Sequence, residues 1–171
     1  MTTDRLLNEL IDFHAKQHGW TNGWLVTGEK EIIILNVAGT VFGGIGAAGP
    51  STINLAPVAG PSIIVITSLN LTVQLNAIIN TNFIYGYNRL VKILKGQYSA
   101  TNNNILAQPS DFEARPLFTN GTNWYYQFVL KTPEVFFLDA LSVVGATALH
   151  SNPDTSTLSG WGKAIIISKK P

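Results

Sequence analysis

From Ile32 to Asn88 the chain carries no charged side chain. A run of that length leaves two architectures. The first is a pair of membrane helices, residues 32–49 and 61–79, joined by the proline-bearing stretch 50–60. A helical span needs about 20 mostly apolar residues, and Lys30 on one side with Arg89, Lys92 and Lys95 on the other would put both ends in the cytoplasm. The second is a set of buried strands, and periodicity favours it. Odd positions from 63 to 77 read Ile63, Val65, Thr67, Leu69, Leu71, Val73, Leu75 and Ala77, while Ser68, Asn70, Thr72, Gln74 and Asn76 fill the even ones. A period of two places every polar group on one face of a strand. Wound as a helix, the same five groups scatter around the cylinder and would meet lipid on several sides. A helical membrane protein is therefore the rival reading, and a β fold the expected one.

The rest of the chain agrees. Residues 31–42, 52–58, 82–87, 124–130, 135–138 and 164–168 are rich in β-branched and aromatic side chains. Turn residues separate them: Thr27-Gly28, the 43–50 run, Gly60-Pro61, Gly96, Asn120-Gly121, Thr132-Pro133, Asn152-Pro153 and Gly160. Asn120-Gly121 ahead of NWYYQF is a hairpin signal, because both residues accept positive φ. Pro133 belongs at an edge, a bulge or a strand start, since it donates nothing to a ladder. Seven to nine strands so spaced predict an antiparallel β-sandwich or barrel. An outer-membrane barrel would also alternate, but it calls for a leader, and Met1 runs into TTDRLLNEL with no apolar core.

Residues 3–18 are the exception, an amphipathic helix that Thr3 would cap. Leu7, Ile11, His14 and His18 share a stripe with Leu6 and Leu10 beside it, and Gly19–Trp24 (GWTNGW) then breaks the helix. This predicts a helical arm, residues 1–24, ahead of a β domain, residues 25–171. An isolated helix this short is marginal in water, so its apolar face must land on its own sandwich or on a neighbour. Since a sandwich closes its core with its own sheets, the expectation is a neighbouring copy or a larger surface. Leu6, Leu7, Leu10, Ile11, His14, His18, Trp20 and Trp24 would be the assembly contacts. Residues 96–109, with an Asn run at 102–104, read as a long surface loop.

Chemistry is hard to find. With 11 Lys and Arg against 10 Asp and Glu, the net charge of +1 excludes a phosphate-gripping nucleic-acid binder. The absence of cysteine excludes disulfides, thiolate metal sites and thiol nucleophiles. His14 and His18 have the spacing that presents two imidazoles one helical turn apart, but no third ligand accompanies them, so packing is expected instead of a metal. Asp139 lies in an apolar run without a partner at any legible spacing, and an outward carboxylate is the plainer reading. The glycines of 43–49 lack a P-loop lysine and a following helix, and no nucleophile motif appears. No enzyme and no cofactor are expected. Trp124, Tyr125 and Tyr126 would alternate in and out of a strand, so at least one faces outward, to stack on a sugar or fill an interface. A carbohydrate-binding β-sandwich module is accordingly a second alternative.

Two segments carry a resemblance. INLAPVAGPSIIVITSLNLTVQLNA (residues 53–77) and LSGWGKAIIISKK (158–170) resemble jelly-roll-like structural proteins of bacteriophage particles, of the head-decoration, head-fibre and tail-associated kinds. The resemblance spans about half the chain and leaves out the arm and residues 89–115. It implies a jelly-roll-like β-sandwich and a place in the virion. It also implies self-association, often as trimers, with other virion proteins as partners and no catalytic residues. Charged residues at 12% of the chain, against about 25% in an average domain, suit surfaces buried in subunit contacts.

Overall fold

The structure, a computed structural model, describes residues 2–42, 45–53, 60–76, 91–95, 105–107, 111–120, 123–139, 144–150 and 156–171. Among the described residues one helix, α1 (Thr2–Gln17), precedes ten strands: β1 (Trp24–Phe42), β2 (Ile45–Ile53), β3 (Ser62–Asn76), β4 (Val91–Lys95), β5 (Ile105–Ala107), β6 (Phe112–Asn120), β7 (Asn123–Leu130), β8 (Glu134–Leu138), β9 (Val144–His150) and β10 (Ser156–Lys169). The protein is mainly β, and each ladder among the described residues is antiparallel. No described helix is long and apolar enough to cross a membrane. The two helical spans weighed for residues 32–49 and 61–79 are corrected, because β1, β2 and β3 occupy most of them.

Pairing is nested. β1 pairs with β10, β2 with β9, β3 with β7 and β8, and β4 with β5. Four further ladders, β1 on β2, β10 on β3, β9 on β4 and β6 on β7, join these pairs into the order β5-β4-β9-β2-β1-β10-β3-β7-β6. Along β3, the lower half (Ser62–Ile66) takes β8 and the upper half (Asn70–Asn76) takes β7. Pro133 stands between those two strands, immediately before β8, where its missing N–H costs no ladder bond. At the β6–β7 hairpin Asn120 is itself paired, with Asn123, so the strands join one residue beyond the Asn120-Gly121 turn that the sequence predicts.

Irregularities decide which side chains share a face. Thr67 is an extra residue in β3, since Ser68 pairs with Lys163 and Ile66 with Ala164. One added residue exchanges the two faces of a strand. Ile63 and Val65 therefore face α1, whereas Leu69 and Leu71 lie on the opposite, inner face with Ile64 and Ile66. The odd positions of 63–77 do not share a face, as simple alternation predicted. The bulge is held by the Thr67 hydroxyl, which donates to the Lys163 carbonyl at 3.1 Å. Ile63 to Ile66 are all buried. A strand covered on both sides reads as a continuous apolar run, which accounts for part of the charge-free stretch.

The inner face gathers the main core: Ile32, Ile64, Ile66, Leu69, Leu71, Phe112, Phe128, Phe136, Leu138 and Ala164. On the other face α1 covers a second cluster, in which Ile11, Ala15 and Trp20 meet Ile63, Val65 and Ile167, with Leu7, Trp24, Val135 and Phe137 beside them. The helix ends in a Schellman motif. Trp20 N–H donates to the Ala15 carbonyl at 2.9 Å and Gly19 N–H to the Lys16 carbonyl at 3.2 Å, while Gly19 takes the required positive φ of 71°. The Trp24 indole N–H donates to Asp12 Oδ1 at 2.6 Å and ties the start of β1 to the helix.

Several strands escaped the sequence reading. β2 runs through the 43–50 run taken as punctuation, with Pro50 at its register shift against β9. β5 lies inside the stretch read as a loop, and β9 was not anticipated. The expected strand at 82–87 lies outside the described residues.

Candidate binding surfaces

The structure divides the expected assembly set by which side of α1 each residue occupies. Leu7, Ile11, Trp20 and Trp24 pack on the protein's own sheet. His18 stacks on Phe137 with ring centroids 3.5 Å apart and planes 9° from parallel. Its Nδ1 lies 2.8 Å from the His14 carbonyl, so this nitrogen carries the proton and donates. Burial, and then the neighbouring His18, hold the His14 pKa below the usual histidine value, against an opposing hydrogen bond with the Val135 backbone. Among the described residues no group of three or more His, Asp or Glu is placed to hold a metal ion.

Leu6 and Leu10 point the other way. With Phe13, which the sequence reading passed over, they form a stripe exposed by 61%, 48% and 55%. Their spacing of four and then three residues is that of an apolar seam between two helices. Glu9 and Lys16 flank the seam on one side, and the exposed Arg5–Glu9 pair at 3.0 Å contributes little to stability.

A second open surface lies on the helix-bearing face of the sheet, beyond the reach of α1. Cross-strand pairing builds it in rows. Ile33, Trp161, Asn70 and Val129 are successive partners from β1 to β7, and Glu31, Lys163 and Ser68 form the next row. Trp161 is 61% exposed and Ile33 62%. Ser159 and Lys163 are the next outward residues along β10, since Gly160 and Gly162 face inward. Farther out, Arg115 and Glu113 pair at 2.9 Å. That salt bridge draws the Glu113 carboxyl below its ordinary range.

The anticipated aromatic set falls on β7, where Tyr125 is half-buried. The side chains of Trp124 and Tyr126 lie outside the described residues. Trp161 was missed, although SGWGK carried a signal: bulky or polar residues alternating with glycine is the pattern of a strand with one laden face. Reading Gly160 as a turn hid it.

Glu134 pairs with Ile66 and so belongs to the core face of β8. Burial, reinforced by the charge of Asp111, pushes its carboxyl up to about 7. Asp139 follows β8 and is exposed. An open groove of about 520 Å³ runs beside the β1 bulge at Thr27, between Lys30, Ser62 and Ser168.

No family model, curated protein or solved structure matches the chain.

Proposed function

We propose that this chain is a non-enzymatic structural protein on a jelly-roll β-sandwich, which self-associates through its helix and attaches to a larger particle. The jelly-roll reading is supported by the nested pairing. Folding such a ribbon over once gives the rows β1-β10-β3-β7 and β2-β9-β4-β5, the order produced by two Greek keys. The setting, a bacteriophage virion with other virion proteins as partners, rests on the resemblance of residues 53–77 and 158–170.

The observation that carries self-association is the Leu6, Leu10 and Phe13 stripe, because the opposite side of the same helix is already occupied. A second copy fits it by charge as well as by shape. Two such helices packed antiparallel about a two-fold axis set Leu10 against Phe13 of the other copy and bring Glu9 alongside its Lys16. The seam is only two turns long. It falls short of the roughly 1,000 Å² of a stable interface, so the assembly draws on further contacts.

Light scattering of the full chain tests this reading. The wild type is expected to have the mass of an oligomer. Leu10→Asp should reduce it to a monomer with an unchanged far-UV circular dichroism spectrum. A monomeric wild type at high micromolar concentration, or an oligomer indifferent to Leu10→Asp, would overturn it.

A further inference from the structure

We infer that the open sheet face around Trp161 is a binding platform for a neutral oligosaccharide, distinct from the helical seam. An indole exposed by 61% at mid-strand, flanked by β1 and β3 and not at an edge, joins Ile33 in an apolar patch rimmed by polar side chains, and such a patch marks a surface that something covers. Its surroundings say what that is. Ile33 on one side extends the apolar patch, and the Asn70 amide on the other offers both a donor and an acceptor. Cross-strand neighbours in a sheet lie about 5 Å apart, and the next outward residues along the strand about 7 Å away. The Ser159 hydroxyl, Lys163 ammonium and Glu31 carboxylate thus ring the indole at the reach of the hydroxyls around a stacked sugar. An aromatic face for the C–H side of the ring, with polar groups at its rim, is the complement of a pyranose.

Charge and desolvation select among occupants. Glu31 and Lys163 are direct cross-strand partners of opposite sign, and Arg115 is paired with Glu113. Among the described residues the platform has no surplus positive charge with which to hold a nucleic acid or an acidic polysaccharide. A second copy stacked sheet on sheet would take Glu31, Lys163 and the half-buried Asn70 and Thr72 out of water against a flat surface, whereas interface cores are depleted of charge. A sugar brings its own donors and acceptors and leaves the ionic heads wet. A flat face buries less of a ligand than a pocket does, so binding is weak per site and strengthened by repeated copies.

The test titrates the full-length protein with cellohexaose and with the hexamer of N-acetylglucosamine, followed by ¹H–¹⁵N correlation spectra, beside an array of neutral hexose and N-acetylhexosamine chains. The inference expects a saturable shift of the Trp161 indole N–H with at least one neutral glycan. Read on the backbone amides of Ile33, Asn70 and Lys163, which survive the substitution, it expects loss of the glycan-induced shifts in Trp161→Ala and their partial retention in Trp161→Phe, with far-UV circular dichroism unchanged in both. Absence of any saturable response would overturn it, as would binding indifferent to Trp161→Ala. A fall in oligomeric mass in Trp161→Ala without glycan binding would also overturn it, and would assign the face to a second copy. None of these outcomes depends on Leu10.

Discussion

Gly162 is the residue on which the central sheet leans hardest. It pairs with Leu69 on β3, one step above the Thr67 bulge. A Cβ at this position would fall on the Ser68 carbonyl oxygen and lie 3.0 Å from Leu69 Cα. Those atoms are backbone, pinned by the ladder and by the Thr67 to Lys163 hydrogen bond, so no rotamer change relieves the clash. Glycine to alanine in a strand otherwise gains roughly 0.5–1 kcal/mol from the unfolded chain. Against that, overpacking costs about 1–3 kcal/mol, and each ladder bond lost as β3 withdraws costs about 1 kcal/mol more. Gly162→Ala should therefore destabilise by about 2–4 kcal/mol, lowering Tm by roughly 5–15 °C for a chain of this size. Gly28 is the control. It lies at the β1 bulge with nothing within 4 Å of a built Cβ, so Gly28→Ala should be neutral or slightly stabilising. Urea denaturation followed by far-UV circular dichroism measures both. If Gly162→Ala stays within about 0.5 kcal/mol of wild type, the ordinary level for surface changes, the close approach of β10 to β3 is not what holds this register.

Glu134→Gln should stabilise the protein above neutral pH and leave it unchanged near pH 4. The raised carboxyl makes the folded chain hold this proton more tightly than the unfolded one, so its contribution is complete below the ordinary value of 4.5 and lost as pH rises through about 7. The full shift corresponds to about 3 kcal/mol, and solvent screening of a half-exposed group reduces it to about 1–2 kcal/mol. Urea midpoints of wild type and variant compared at each pH separate this from His14, whose depressed pKa acts in the opposite sense, lost as pH falls below 6.5. An equal difference at pH 4 and pH 8 would refute the assignment. Gly19→Ala forces a left-handed φ on an L-residue and should cost about 1–2 kcal/mol, read in the same denaturation assay, with no loss if another residue takes over the helix stop.

Much of the fold was legible because its signals are local. The helix, its glycine stop, the existence of the β6–β7 hairpin and the strands at 124–130 and 135–138 each rest on residues a few positions apart. What escaped depended on partners. β2 contains Gly46, Gly49 and Pro50, poor strand formers by themselves, and is a strand because β1 and β9 flank it. β5 is three residues long and, among the described strands, pairs with β4 alone. The Thr67 bulge was invisible because Thr67 continues the alternation, while the exchange of faces shows only in the pairing with Lys163 and Ala164.

That exchange explains why the surfaces were harder to read than the core. Below the bulge, the α1 face of β3 carries Ile63 and Val65 and needs a cover; above it, the same face carries Ser68, Asn70 and Thr72 and needs none. One extra residue thus sets where α1 must stop and where the open platform around Trp161 begins. The arm was expected to dock elsewhere because a sandwich has two faces already committed to each other. Here β3 and β8 turn Ile63, Val65 and Phe137 outward, a third apolar surface that the sheets cannot bury themselves. Leu7, Ile11 and Trp20 answer it, and Leu6, Leu10 and Phe13 are left over. The helix therefore belongs to the fold by one side, and its remaining side is the one free to belong to an assembly.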